Sequence, residues 1–105
     1  MDAMTTKKYN KLVRDKIPDI IEAQGKKCKL YIATGTDYHN RLKDKLLEEA
    51  KEFFENPCVE ELADVYEVLD TLVYTHRWDL TKARLKKNEE RGAFWRRFVL
   101  EEVQE

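Results

Sequence analysis

The sequence predicts an all-α protein in which a helical hairpin associates into a four-helix bundle, with short extended segments at both ends of the chain. The 105 residues include only three Gly and two Pro, so few positions interrupt a helix. Apolar residues recur at helical spacing on both sides of Asn56-Pro57, and their arcs are wider than a single hairpin can cover. A second hairpin is the simplest partner, which predicts a homodimer at minimum. We expect one domain, residues 9–105, after a flexible lead-in, residues 1–8.

The first third of the chain predicts one short helix and one β-prone segment. Residues 17–24 are typical of a helix, because Pro18 suits its first turn and Gly25 suits its C-terminal end. Residues 28–33 are β-prone, and the Thr34-Gly35-Thr36 sequence that follows them is a turn and capping signal.

Three further helices are predicted in the remainder of the chain. The first covers approximately residues 37–55, and the second follows Pro57 and runs to about residue 76. Asp79 can cap a third helix, residues 80–90, which Gly92 stops. The two long helices around Asn56-Pro57 form the predicted hairpin.

Composition and charge exclude several broad classes of function. The formal net charge is −1, so there is no global attraction to nucleic acid or to membranes. Nucleic-acid binding through Trp95-Arg96-Arg97-Phe98 is a disfavoured alternative, because this basic patch is thin and lies beside Glu101 and Glu102. Cys28 and Cys58 lack the spacing of a zinc site, and no apolar run reaches the ~18 residues of a membrane span. We therefore expect a cytoplasmic protein with no nucleic-acid or membrane partner.

Four carboxylates lie at mirror-image distances on either side of Asn56-Pro57. Glu52 and Glu61 are the nearer pair, and Glu49 and Asp64 are the farther pair. In an antiparallel hairpin the two pairs would meet at matching heights, about 4.5 Å apart along the helices. An all-oxygen set with no neighbouring His or Cys favours Mg²⁺ or Mn²⁺ over zinc.

The ordinary explanation of such acids is a solvated helix face, and the helical positions of two of them argue against it. Glu61 falls inside the apolar arc of its helix, between Val68 and Leu72, and Glu49 lies just outside the edge of its own arc. A carboxylate in an apolar arc costs several kcal/mol unless it is paired or bound to metal. Neither acid is followed four residues later by a lysine that would pair with it.

Carboxylates that hold Mg²⁺ usually serve a phosphate substrate, which needs further cations for its remaining charge. Each candidate cation, taken alone, is more simply explained as a solvated surface residue. The candidates lie near both ends of the chain: Lys11, Arg14, Lys16, Lys87 and Arg91.

Three motifs in the same order resemble those of small MazG-like proteins, within the all-α nucleoside triphosphate pyrophosphohydrolase superfamily that includes phosphoribosyl-ATP pyrophosphohydrolase. Tyr9-Asn10-Lys11-Leu12-Val13-Arg14-Asp15-Lys16-Ile17-Pro18 resembles the opening of those proteins. Glu48-Glu49-x-x-Glu52 and Glu60-Glu61-x-x-Asp64 look like their paired ExxE and ExxD motif. Arg91-Gly92-Ala93-Phe94 is similar to the Arg-Gly-Gly-Phe that closes their third helix. The resemblance covers nearly all of residues 9–103.

The chain departs from the superfamily pattern at two places. Only eight residues separate Glu52 from Glu61, so the turn of the hairpin must be tight. Ala93 replaces the second Gly, which weakens the expectation of a close backbone approach to a phosphate there.

The resemblance implies a role for each matching residue. Glu48 would be a further acid that helps to orient the attacking water. The implied ligands of Mg²⁺ or Mn²⁺ are Glu49, Glu52, Glu61 and Asp64. The implied contacts to the triphosphate are Lys87 and Arg91, together with Lys11, Arg14 and Lys16 from the N-terminal segment.

The function that these roles imply is hydrolysis of (deoxy)nucleoside triphosphates to the monophosphate and pyrophosphate, for cleansing of the nucleotide pool. Related enzymes are homodimers or homotetramers. One alternative is phosphoribosyl-ATP hydrolysis by the same chemistry. Another alternative is a helical oligomerisation module with no catalytic activity.

Overall fold

The computed structural model describes residues 5–104, and in that range it contains four α-helices and no β-strand. They are α1 (Ile17–Ala23), α2 (Gly35–Glu55), α3 (Val59–His76) and α4 (Leu80–Arg91). The all-α prediction is confirmed, and every predicted helix is present. Residues 1–4 of the predicted lead-in lie outside the described range, and residues 5–8 form no regular secondary structure. None of the described helices combines the length and apolar character of a membrane span.

The helix ends follow from local capping chemistry. The Asp79 carboxylate accepts a hydrogen bond from the backbone N–H of Lys82 at 3.0 Å, which satisfies a free donor in the first turn of α4. Gly92 ends the same helix with φ of 81°, a conformation that costs other residues strain. Pro18 lies in the first turn of α1, where its missing N–H has no helical partner to lose.

The chain divides into two compact units, of which the first ends at Leu72 and the second begins at Val73. In the first unit α2 and residues 59–72 of α3 form an antiparallel hairpin, joined by residues 56–58. Leu42 is only 1% exposed, and it forms the buried core with Val68 and Leu72 of α3. Three partly buried apolar side chains pack around this core: Leu12, Tyr38 and Leu46.

The β-prone segment at residues 28–33 forms no strand, and the reason is that the described residues offer it no second strand to pair with. Ile32 within it is almost fully exposed. The segment is tied to α2 by the Tyr31 hydroxyl, which donates a hydrogen bond to the Asp37 carboxylate at 2.8 Å.

One face of α3 is apolar and exposed in the single chain. Its residues follow each other at intervals of three, four and three positions, the spacing of a seam between packed helices. We call this face the outer seam: Val59, Leu62, Tyr66 and Leu69.

Candidate functional site

Three carboxylates of the hairpin meet in one cluster. Glu49 comes from α2, and Glu61 and Asp64 come from the first turns of α3, three residues apart and therefore on one face. One oxygen of each lies within 4.8 Å of the others. Two oxygens bound to the same Mg²⁺ are separated by at most about 4.2 Å, so small side-chain adjustments would bring all three onto one ion. We call these three residues the acid cluster.

Two oxygens of the acid cluster are buried without a hydrogen-bond partner among the described residues. They are Oε2 of Glu49 and Oε2 of Glu61. Glu49 is only 7% exposed, so its carboxylate has lost most of its contact with water. An orphaned carboxylate oxygen is costly, and either a cation or a hydrogen-bond donor would satisfy it. The sequence predicted Glu61 to be the more buried of the two, whereas the structure buries Glu49 more deeply.

Glu52 lies apart from the cluster, although the sequence placed it among the four ligands. It is exposed, whereas Glu49 meets both Glu61 and Asp64 across the hairpin. Residues three positions apart on a helix differ by about 60° in direction, which is enough to turn Glu52 toward solvent when Glu49 faces α3. Its charge still acts on the cluster and raises the pKa of Glu49.

The N-terminal segment crosses the acids and places two of the predicted phosphate-binding cations on carboxylates. Lys11 Nζ lies 2.8 Å from Glu48 Oε1, and Arg14 Nη2 lies 2.6 Å from Asp64 Oδ1. Both ion pairs are partly exposed, so each stabilises the fold by only about 0.2–1 kcal/mol and can exchange for other partners. Lys16 is exposed at the N-terminal cap of α1.

Lys45 is a member of the site that the sequence analysis did not identify. Its Nζ lies 3.3 Å from Glu49 Oε1 and 3.4 Å from Glu48 Oε1, and its side chain is only 14% exposed. Lys45 precedes Glu49 by four residues, so it lies one helical turn before the acid and not after it. The opposite spacing was the signal that would have found it.

The two adjacent glutamates have pKa shifts in opposite directions. Burial raises the pKa of Glu49, and the charges of Glu52 and Asp64 add to this effect while Lys45 opposes it. Burial alone would also raise the pKa of Glu48, but hydrogen bonds and charges from Lys11 and Lys45 together lower it. The cations around Glu48 therefore favour its charged form, whereas ionisation of Glu49 is disfavoured by burial.

Replacing Glu49 with Gln is expected to stabilise the metal-free protein at neutral pH. The folded-state pKa of Glu49 lies above its ordinary value of 4.5. As the pH rises from 4.5 through the folded-state pKa, the buried carboxylate ionises and the folded protein loses stability. The stability gain should disappear below about pH 4.5, where wild-type Glu49 is itself protonated. Urea denaturation in the presence of a chelator, at both ends of this window, measures the difference.

Glu48→Gln is the matched control for that experiment, since it makes the same change one residue away. The pKa of Glu48 is lowered, so its charge stabilises the fold above the ordinary value, and this contribution is lost as the pH falls. The control should therefore be less stable than wild type at neutral pH. Equal effects of the two substitutions would contradict the assignment.

The second unit contains a basic surface cavity at the C-terminal end of α4. Its volume is about 460 Å³, and it brings together the predicted cations Lys87 and Arg91. Arg84 lines the same cavity and was missed, although residues 84, 87 and 91 have the spacing of one helix face. The other lining residues are Asn88, Gly92, Ala93 and Phe94.

Comparisons of the chain with protein-family models, with curated proteins and with solved structures gave no match in any of the three.

Proposed function

We propose that the protein hydrolyses (deoxy)nucleoside triphosphates to the monophosphate and pyrophosphate with Mg²⁺ or Mn²⁺, in the cleansing of the nucleotide pool. The observation that carries this proposal is the pair of orphaned oxygens on Glu49 and Glu61, in a cluster with Asp64. The nucleotide substrate is supported by the MazG-like order of motifs along the chain.

The residues of the acid cluster fit a hard divalent cation. All three offer carboxylate oxygens, and the two buried oxygens without partners are in the cluster. Glu52 at the exposed edge would be a fourth ligand after a change of side-chain rotamer. A cation held there would lower the pKa of an attacking water and polarise the phosphoryl oxygens.

The remaining residues are proposed to bind the substrate and manage its charge. Lys11 and Arg14 can leave their exposed ion pairs for phosphate oxygens, which form charge-assisted hydrogen bonds with ammonium and guanidinium groups. Lys87 and Arg91, with Arg84, line the surface cavity of the second unit and are proposed to bind phosphate groups there. Glu48 is proposed to orient the attacking water, for which its lowered pKa favours the charged, hydrogen-bond-accepting form.

A substrate panel tests the proposed function directly. The panel contains canonical and modified ribo- and deoxyribonucleoside triphosphates and phosphoribosyl-ATP, each with Mg²⁺ or Mn²⁺, and pyrophosphate release is measured. We expect release from at least one nucleoside triphosphate that is abolished by a chelator. Release from phosphoribosyl-ATP alone would replace the proposed substrate, and no release by a folded protein would reject the enzyme.

We further propose that the outer seam binds a second copy of the chain, so that two hairpins form a four-helix bundle in a homodimer or homotetramer. The seam has the spacing with which helices pack against each other, and all four of its apolar side chains are exposed in the single chain. A second α3 presents the same seam, so a two-fold axis would bury both at once.

Tyr66→Glu is expected to convert the assembly to monomers, because it buries a charge in each copy of the seam. Light scattering should show the mass of a single chain. Tyr74→Glu is the control, since Tyr74 is also exposed on α3 but points about 100° away from the seam. A monomeric wild type, or an unchanged mass for Tyr66→Glu, would contradict the proposed interface.

A further inference from the structure

The carboxylates around the hairpin divide into two groups according to what their oxygens contact. On one side are the orphaned Oε2 atoms of Glu49 and Glu61, with Asp64 beside them. On the other side, Glu49 Oε1 and both oxygens of Glu48 face the ammonium group of Lys45, at 3.3 to 3.5 Å. Glu49 belongs to both groups, because its Oε1 contacts Lys45 while its Oε2 is buried without a hydrogen-bond partner among the described residues.

The side chain of Lys45 is more deeply buried than those of the other two cations that pair with these acids. Its side chain is 14% exposed, whereas Lys11 and Arg14 are about half exposed. A lysine held this closely between two carboxylates is a fixed positive charge in the place where a second ion bridging Glu48 and Glu49 would bind. A divalent ion there would be strongly repelled by the ammonium group.

The local charge balance agrees with a single ion. The acid cluster together with Glu48 and Glu52 carries five negative charges, and the side chains of Lys11, Arg14 and Lys45 bring three positive charges to it. Two negative charges are left, which is the charge that one divalent cation neutralises. The five carboxylates are Glu48, Glu49, Glu52, Glu61 and Asp64.

We propose that the ammonium group of Lys45 takes the place of a second metal ion, so that each chain binds one divalent cation. This inference rests on the proposed metal-dependent function and specifies the composition of its site. Lys45 is then a positioning residue, because its contact with Oε1 of Glu49 leaves Oε2 for the metal.

The test is a count of bound Mn²⁺ per chain by equilibrium dialysis, without substrate. Wild type should bind one ion, and Lys45→Met should bind two, because the second group of carboxylates is then open to a cation. Lys43→Met makes the same change of charge at an exposed position of α2, and it should still bind one ion. Lys45→Arg keeps the charge and should also bind one. Helical circular dichroism confirms that each variant is folded.

The outcomes separate this inference from the proposed function. If wild type binds no Mn²⁺, the proposed metal-dependent function fails together with the inference. If wild type binds two ions, or if folded Lys45→Met binds one, the metal site stands and only the role of Lys45 is overturned. A wild-type count of two ions overturns the proposal even if Lys45→Met does not fold.

Discussion

Glu61→Gln is expected to reduce pyrophosphate release by about 100-fold or more, the scale of loss when a metal site is disrupted. Gln has the shape of Glu but no negative charge, so the substitution removes one proposed metal ligand with little change in packing. The wild-type protein should be stabilised against unfolding by Mn²⁺ or Mg²⁺, since these ions bind the folded state. The variant should lose most of that stabilisation.

The same variant distinguishes an enzyme from a non-catalytic helical module. Without metal, Glu61→Gln should be as stable as wild type or more stable, because it replaces a carboxylate whose Oε2 is buried without a hydrogen-bond partner. Glu60→Gln is the matched control, as it changes the adjacent, exposed glutamate and should leave turnover and metal stabilisation intact. If the protein releases pyrophosphate and Glu61→Gln retains that activity, the acid cluster is not the catalytic site.

Leu42→Ala is expected to lower the free energy of unfolding by about 2–5 kcal/mol, the cost of removing a buried leucine side chain and leaving a cavity. Leu42 is the most buried apolar side chain described, and it contacts the α3 core residues Val68 and Leu72. The hairpin has few other buried contacts to compensate, so the variant should also lose metal binding at temperatures where wild type is stable. Thermal and urea denaturation measure the loss.

Leu47→Ala provides the control for that prediction on the same helix. Leu47 is 73% exposed, so the identical substitution should change the stability of the single chain by less than about 0.5 kcal/mol. Similar losses from both variants would mean that the hairpin does not pack through Leu42. A larger loss at Leu47 would place that residue in an interface between chains.

The helices were predictable because their signals are local. Asp79 and Gly92 set the ends of α4 through capping and backbone conformation, and neither depends on the rest of the fold. The connection at Asn56-Pro57 marked the hairpin for the same reason. Local propensity was misleading only at residues 28–33, where β-forming side chains have no second strand to pair with in the described chain.

The composition of the site was only partly predictable, because it depends on how α2 is rotated about its own axis. That rotation is set by the packing of Leu42 against α3, and it turns Glu49 inward and Glu52 outward. It also brings Lys45 onto the acids, one turn before Glu49. The ion pairs of Lys11 and Arg14 connect residues that are far apart in the chain. Helical periodicity relates only residues within one helix, so it could not predict these contacts.

The short connection between α2 and α3 has a consequence for the order in which the protein folds. All three members of the acid cluster lie within one hairpin, so they meet after the closure of a single small loop, at low entropic cost. The ion pairs from the N-terminal segment span 37 and 50 residues, and contacts at such separations are slower to form. The acids can therefore come together first, and the segment that carries Lys11 and Arg14 closes over them afterwards.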